Sequence, residues 1–433
     1  MIIEFSVRNY KSFKEKIEFS MIADPEESDH SDRIYKLSRY GDSAVLPITA
    51  IYGGNASGKS NFIYALQALR NITLQNITPQ IIDPFLLDTD TDRSKIPSEF
   101  DIKILVNDII YHYVVWATHT EIIKEELKIV KDNEEEKLLY ERDKLEVKLG
   151  GDFKDGQKEL LELLINNKAI RGNQTFIKSA TDLNFKYFIP ILEWFKSLTI
   201  LNPNVIYEFP DDVFEEKKEI NHKLHEILPE IDTGISRIGR TKINRTLQVN
   251  PQVMKQIFNL QQGQSMNFKD PFVGDRGYIS KEGNKILMEL AGTFHKRSDG
   301  EDIFFGFGRE SDGSKRVLTL LVWLFKIMSN TSNKILIIDE VDRGLHPELT
   351  TWLLEKYLSN CSNETQSQLV VTTHDVQLLD TNIMRRDEVW FLERKDDGHS
   401  DMCPLASYED NGSSLKNYLQ GKFGGIPHVV HPL

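Results

Sequence analysis

The sequence predicts an α/β fold: a mixed, mostly parallel sheet with flanking helices, built from both chain ends around an inserted, mainly helical lobe. Two observations predict it. Ile48-Thr49-Ala50-Ile51-Tyr52, a short apolar run, leads through a glycine-rich turn into Phe62 to Leu69, where apolar residues recur at helical spacing. Far downstream, Ile335-Leu336-Ile337-Ile338 is a second apolar run, ending in Asp339-Glu340. Unbroken apolar strands of this kind belong to parallel sheets covered on both faces.

The turn between the first strand and its helix is Gly53-Gly54-Asn55-Ala56-Ser57-Gly58-Lys59-Ser60, followed by Asn61. It completes G-x-x-x-x-G-K-S, and strand–turn–helix is the context that phosphate-binding loop requires. Glycines let successive N–H groups curl around an anion, and the helix N-terminus adds its dipole. Lys59 supplies a point charge to the β- and γ-phosphates, and Ser60 a hydroxyl for magnesium. Asp339, at the end of its strand, is placed to hold the same ion. Glu340 is placed to orient and deprotonate an attacking water. The pattern therefore predicts ATP and Mg²⁺ as ligand and cofactor.

Lys59 and Asp339 are separated by 280 residues (339 − 59), far more than a compact P-loop domain needs, so a large segment is inserted between them. Two further elements narrow the class. Leu369-Val370-Val371-Thr372-Thr373-His374 is another apolar strand, ending in a histidine suited to contacting a γ-phosphate. Glu310-Ser311-Asp312-Gly313-Ser314-Lys315-Arg316 precedes a long apolar helix, Val317 to Met328. Ser311 and Gly313 before a helix N-terminus make an anion site.

Together these motifs resemble the ABC-type ATPase head, above all the branch with the SMC, RecF and OLD-like proteins. The opening, Ile3 to Phe13, is similar to that branch's first strand and turn. Gly344-Leu345-His346-Pro347 and Leu419 to Pro427 look like the RloA/AbiL-type abortive-infection ATPases. The resemblance implies a head-to-tail dimer or higher oligomer in which Ser311 and Gly313 complete the neighbour's nucleotide site. It also implies Glu340, His374 and Lys59 as the catalytic set. Transporter heads carry an aspartate six residues after the catalytic glutamate; here that residue is His346, which disfavours a transporter subunit. Gln80 is the best candidate for the magnesium-sensing glutamine.

The remaining chain falls into three stretches. Residues 24 to 44 are polar and read as a loop. Phe100 to Val106 and Tyr111 to Trp116 alternate as strands around Asn107-Asp108. Segments within 126 to 148 continue as a meander, their alternation and the Asp132-Asn133 break favouring strands over one charged helix. Helical spacing begins near Lys158 and recurs at Phe185 to Leu198, Phe214 to Leu228 and Gln252 to Gln262. No heptad run is long enough for a coiled-coil arm. The expected division is 1–120 with 281–433 as the head, and 121–280 as β-meander and inserted helical lobe.

Charge and composition bound the partners. With 53 Lys and Arg against 66 Asp and Glu, the net charge is −13, which disfavours broad nucleic-acid binding. The best basic patch holds Arg237, Arg240, Lys242 and Arg245, read either as a solvated hairpin face or as a phosphate or partner contact. His222 and His225, and His428 and His431, lack the companions a metal site needs. Only two cysteines occur, so a disulfide framework is not indicated. No apolar run reaches membrane-spanning length and the N-terminus enters a strand at once, so no membrane contact and a cytoplasmic location are expected. The 59 residues after His374 (433 − 374) leave no room for a TOPRIM nuclease module. The expected function is a sensor or switch ATPase of bacterial antiphage defence, controlling a separate effector, a TOPRIM-type nuclease. The alternatives are a RecF/SMC-like repair ATPase on duplex DNA and, behind it, a transporter-associated subunit.

Overall fold

The computed structural model describes residues 1–75, 81–151, 153, 156–203, 209–216, 218–243, 251–262, 264–269, 275–283, 285–329, 334–363, 365–379, 383–408 and 414–423. Gln80, Arg245, His428 and His431 lie outside them. The chain forms two compact units: Met1–Pro203 with Ile327–Leu433, and Asn204–Lys326.

The first unit contains two large sheets. One is six-stranded, in the order Leu198–Leu201, Ile335–Ile338, Gln368–Thr372, Ile48–Tyr52, Val389–Arg394, Ser400–Pro404. Its first five strands are parallel, and the last returns antiparallel as a hairpin. Ile48–Tyr52, Ile335–Ile338 and Gln368–Thr372 are buried along their whole length, as their unbroken apolar runs require. The other sheet is seven-stranded and antiparallel. It runs Glu146–Leu149, Glu136–Asp143, Ile122–Val130, Ile109–Ala117, Ser98–Val106, Ile2–Arg8, Ile17–Ser20.

Helix Lys59–Leu74 joins the sheets. Phe62 on its buried face meets Phe5 at 5.6 Å and Phe19 at 5.0 Å, both edge-on. Phe19 in turn lies 5.3 Å from Trp390 of the parallel sheet. The two chain ends are tied directly as well. The Gln368 side chain accepts from Ile2 N at 2.6 Å and donates to Ile2 O at 2.9 Å.

The domain boundaries differ from those expected. The meander strands, expected at the start of the insert, hydrogen-bond in sequence onto Ser98–Val106 and through it to Ile2–Arg8, so they continue the N-terminal sheet. The second unit begins only at 204 and runs to 326. Nor is it mainly helical. Beside helices Glu219–Ile227 and Pro251–Phe258 and most of helix Asp312–Met328, it holds a five-stranded antiparallel sheet, Ile235–Lys242, Ser265–Lys269, Arg276–Glu282, Lys285–Lys296 and Asp302–Gly306. Four of these strands contain glycines, Gly239, Gly277, Gly292 and Gly306, which weaken the strand signal. A Cβ on Gly277 would stand 2.2 Å from the Phe268 ring, and one on Gly292 2.3 Å from Phe305 O. Cross-strand aromatic rings occupy the space that alternating side chains would otherwise fill.

Arg237, Arg240 and Lys242 of the basic stretch lie on Ile235–Lys242, and the two arginines are engaged within their own unit. Arg237 stacks on Phe294 at 3.5 Å and bonds Asp302 at 2.8 Å; Arg240 stacks on Tyr278 at 3.6 Å. Among the described residues, no helix is long and apolar enough to cross a membrane.

A buried polar knot fixes the meander. Glu125 is fully buried and accepts from Tyr113 at 2.9 Å, Tyr140 at 2.6 Å and Phe176 N at 2.7 Å. Arg142, 1% exposed, approaches Glu125 at 3.4 Å and donates to Gln174 O at 2.6 Å and Arg171 O at 2.9 Å. Removing one member strands the other's charge in the core. Arg142→Met should therefore cost about 3–5 kcal/mol in denaturant unfolding, and the double change with Glu125→Gln less. A single-variant loss below that of the pair would show that the charges are not coupled.

Candidate active site

In open α/β sheets, ligands gather at the carboxyl ends of the strands. The ends of Ile48–Tyr52, Ile335–Ile338 and Gln368–Thr372 lead into the glycine-rich turn, the acid pair and His374 respectively. Parallel register sets Ile338 beside Val371 and Ile51 beside Thr372, so the three motifs emerge side by side.

The turn depends on its glycines. Gly58 has φ 109°, and a Cβ there would stand 2.7 Å from Ser400 Oγ and 2.8 Å from Ser12 Oγ. On Gly53 a Cβ would meet Ser57 Oγ at 2.4 Å and Leu392 O at 2.5 Å. Ala56 is also left-handed, φ 62°. Lys59 opens the helix and turns back over the loop, donating to Gly53 O at 2.6 Å and Gly54 O at 3.1 Å. Asn61 donates to Ser12 Oγ at 2.9 Å, tying the helix to the turn after the first strand. Burial pushes the Lys59 ammonium down to about 8, against the opposing pull of Asp339, Glu340 and Asp342.

Asp339 is fully buried. Its Oδ1 accepts from Thr372 Oγ1 at 2.6 Å, and that hydroxyl accepts in turn from Glu340 N at 2.8 Å. One side chain thus fixes both acids. Glu340 sits at φ 51°, a left-handed conformation that a glutamate adopts only at a cost and that its neighbours must hold. Its carboxylate meets Arg343 at 3.3 Å. Asp342 accepts the His374 N–H on both oxygens, at 3.3 and 3.2 Å, locking the histidine turn to the acid turn. Burial, then the Lys59 charge, hold the His374 imidazole below its usual range.

A cavity of about 370 Å³ is lined by Asn55 to Asn61 together with Glu340 and His374. Of the sequence-predicted residues, Gly53 and Gly54 shape the loop behind it and Asp339 lies within electrostatic reach of Lys59. Ser60 offers a hydroxyl and Asp339 a carboxylate, an all-oxygen donor set suited to magnesium. A larger cavity of about 970 Å³ in the same unit carries none of these motifs. Charges lining it are paired with one another, Lys103 with Glu4 at 2.9 Å and His112 with Asp101 at 2.7 Å.

Ser311 and Gly313 belong to the second unit. Ser311 Oγ accepts from Ser314 N at 3.0 Å, capping helix Asp312–Met328. The sequence reading missed Thr372 and Asp342. A polar residue ending an apolar strand, one position beyond the pair matched to Ile338, is the signal for Thr372. His346 caps helix Pro347–Leu358 by accepting Glu348 N at 3.3 Å, a structural role. His225 bonds the Ile238 carbonyl at 3.1 Å, and no metal-holding group of His, Cys, Asp or Glu occurs among the described residues.

The His374 shift is directly testable. By NMR titration its imidazole should lose its proton below pH 6.5, and Lys59→Met should move that midpoint upward by removing a neighbouring cation. An unmoved midpoint would separate the two side chains.

A family model described as "AAA domain, putative AbiEii toxin, Type IV TA system" matches residues 48–380. No curated protein matches the chain. Among solved structures, the chain is similar to the SMC head domain from Thermotoga maritima, at 13% identity and TM-score 0.33, covering 93% of this chain and 98% of that one. It is also similar to an SmcHead bound to the C-winged helix domain of ScpA, at 13% identity and TM-score 0.34, covering 93% and 97%.

Proposed function

The chain belongs to the family described as "AAA domain, putative AbiEii toxin, Type IV TA system", and from that premise we propose that it is an ATP-hydrolysing switch. One observation carries the reading. Phosphate loop, acid pair and histidine leave adjacent parallel strands and converge on a single cavity.

Each residue's work follows from its place. The turn's N–H groups and the helix N-terminus receive the phosphates, and Lys59 exchanges its loop carbonyls for β- and γ-phosphate oxygens. Ser60 and Asp339 are the residues that would hold Mg²⁺, which when bound withdraws charge from the phosphate oxygens. Glu340 orients a water and takes its proton. His374, held neutral near pH 7, donates an N–H to the γ-phosphate. Ser311 and Gly313 act on the nucleotide of a second copy of this chain, as in the head dimers that the motif resemblance implies.

Lys59→Ala should abolish ATP binding in calorimetry. Glu340→Gln should retain binding yet turn over at least ~10²-fold more slowly, the usual worth of general-base catalysis. Wild-type turnover in Glu340→Gln would remove it as the base.

For biology, we propose an abortive-infection switch of RloA/AbiL type whose nucleotide state governs a separate effector, a TOPRIM-type nuclease. The family description and the Gly344 to Pro347 motif support this reading. A duplex-DNA repair role is disfavoured by the net charge of −13 and by Arg237 and Arg240 being engaged within their unit. Phage plating with the native gene neighbourhood intact or deleted tests it. Protection should need both this chain with Glu340 intact and its neighbour; protection by the chain alone would refute the separate effector.

A further inference from the structure

The signature Ser311 can act on a neighbour's phosphate only if its helix start is held in one place. Glu310, the residue before it, is 9% exposed. A carboxylate so buried must be hydrogen-bonded, and the donors that satisfy it dictate where it sits. Both donors come from one strand, Lys285–Lys296. Thr293 Oγ1 and His295 Nε2 each donate to Glu310 Oε1, the histidine at 2.7 Å. Two residues apart, they share a face of that strand. The His295 ring packs 4.6 Å from Phe305, and Gly234 lies against its other nitrogen, where an added Cβ would stand 3.5 Å from Nδ1. Upstream, Asp275 Oδ1 accepts Gly308 N at 3.1 Å, anchoring the turn that leads into Glu310.

We infer that His295 and Thr293 are positioning residues for the signature: through the Glu310 carboxylate they set the Ser311 cap and so the reach of the helix N-terminus toward a second copy's nucleotide. The inference rests on the proposed action of Ser311 in trans. Neither donor touches nucleotide. Their loss should leave ATP binding by a single subunit unchanged and lower kcat, because the composite site is misassembled while the phosphate loop is intact.

The experiment compares His295→Leu, which keeps the packing on Phe305 without a donor, with His295→Gln, whose amide can donate. Thr293→Val removes the other donor at nearly constant shape, and Ser311→Arg is the reference for a lost signature. ATP affinity by calorimetry, kcat, and thermal melting are measured on each. His295→Leu and Thr293→Val should bind ATP within about twofold of wild type and lose about tenfold in kcat, as for one charge-assisted hydrogen bond. His295→Gln should recover most of that loss. Wild-type kcat in both His295→Leu and Thr293→Val, with Ser311→Arg inactive, overturns the inference alone. A Gln variant no faster than Leu, or an ATP affinity that falls with kcat, also overturns it. An active Ser311→Arg instead refutes the underlying reading of the signature. Should His295→Leu fail to fold, Thr293→Val alone decides by the same two readouts.

Discussion

Parallel pairing of Gln368–Thr372 with both Ile48–Tyr52 and Ile335–Ile338 is the constraint on which the site depends. Those three segments are far apart in the chain, and none carries chemistry by itself. Pairing them in parallel sends all three carboxyl ends the same way, and the register decides which residues emerge together. A shift of one residue would turn every side chain to the opposite face. Thr372 would then point away from Asp339, and the hydroxyl that bonds both Asp339 and the Glu340 N–H would be lost. The left-handed Glu340 has φ 51°, so its turn needs that hold.

The same weaving explains where the polar interior lies. Gln368 fastens the first strand through both backbone groups of Ile2, so the terminal regions form one body. Next to the edge of the parallel sheet, Arg385 bonds Asp387 on two nitrogens, at 2.9 and 2.7 Å, and donates to the carbonyls of Asp24, Glu27 and Asp29. Arg33 donates to Glu388 at 2.9 Å and to Ile383 O at 2.8 Å. Glu388 is fully buried, and burial raises its carboxyl to about 7 despite Arg33. A polar loop, 24 to 44, is thereby clamped to a segment more than 350 positions away. Such clamps are costly to break singly, and they hold a segment whose own regular structure is one short pairing, Tyr35–Lys36 with Ala44–Val45.

What the sequence made legible was local. Gly53 to Ser60 could be read because the loop's geometry is written in consecutive residues, and Ile335 to Glu340 because a buried parallel strand must be apolar until it reaches its ligand. The long-range partners could not be read so directly. Thr372 and Asp342 act across strands, and their value appears only when register is known. The second unit was misjudged for a different reason. Its strand Lys285–Lys296 is buried in a block rather than alternately, and Gly277 and Gly292 yield their space to Phe268, Phe304 and Phe305, so period two is lost. Arg237 and Arg240 looked like a surface patch because a sequence does not show Phe294 and Tyr278 beneath them.

Electrostatics adds a last step to the proposed mechanism. Lys59 feels Asp339, Glu340 and Asp342 together, three carboxylates against one ammonium. Burial lowers its pKa to about 8, and its ammonium already donates to two loop carbonyls. With Lys11 and Arg394, which also line the cavity, the nearby cations about match these carboxylates, so a triphosphate arriving without a counter-ion would bring a surplus of negative charge, despite the helix dipole. The loop alone therefore does not balance the ligand. A divalent cation held by Ser60 and Asp339 would offset much of the surplus, and in the proposed dimer a helix N-terminus from a second copy would supply a further positive end. In the proposed mechanism, hydrolysis would then depend on assembly for an electrostatic reason: the residues of one phosphate loop are insufficient to neutralise a triphosphate. On that proposal, a site left short of positive charge in the lone subunit is one whose turnover would be governed by whatever brings two subunits together.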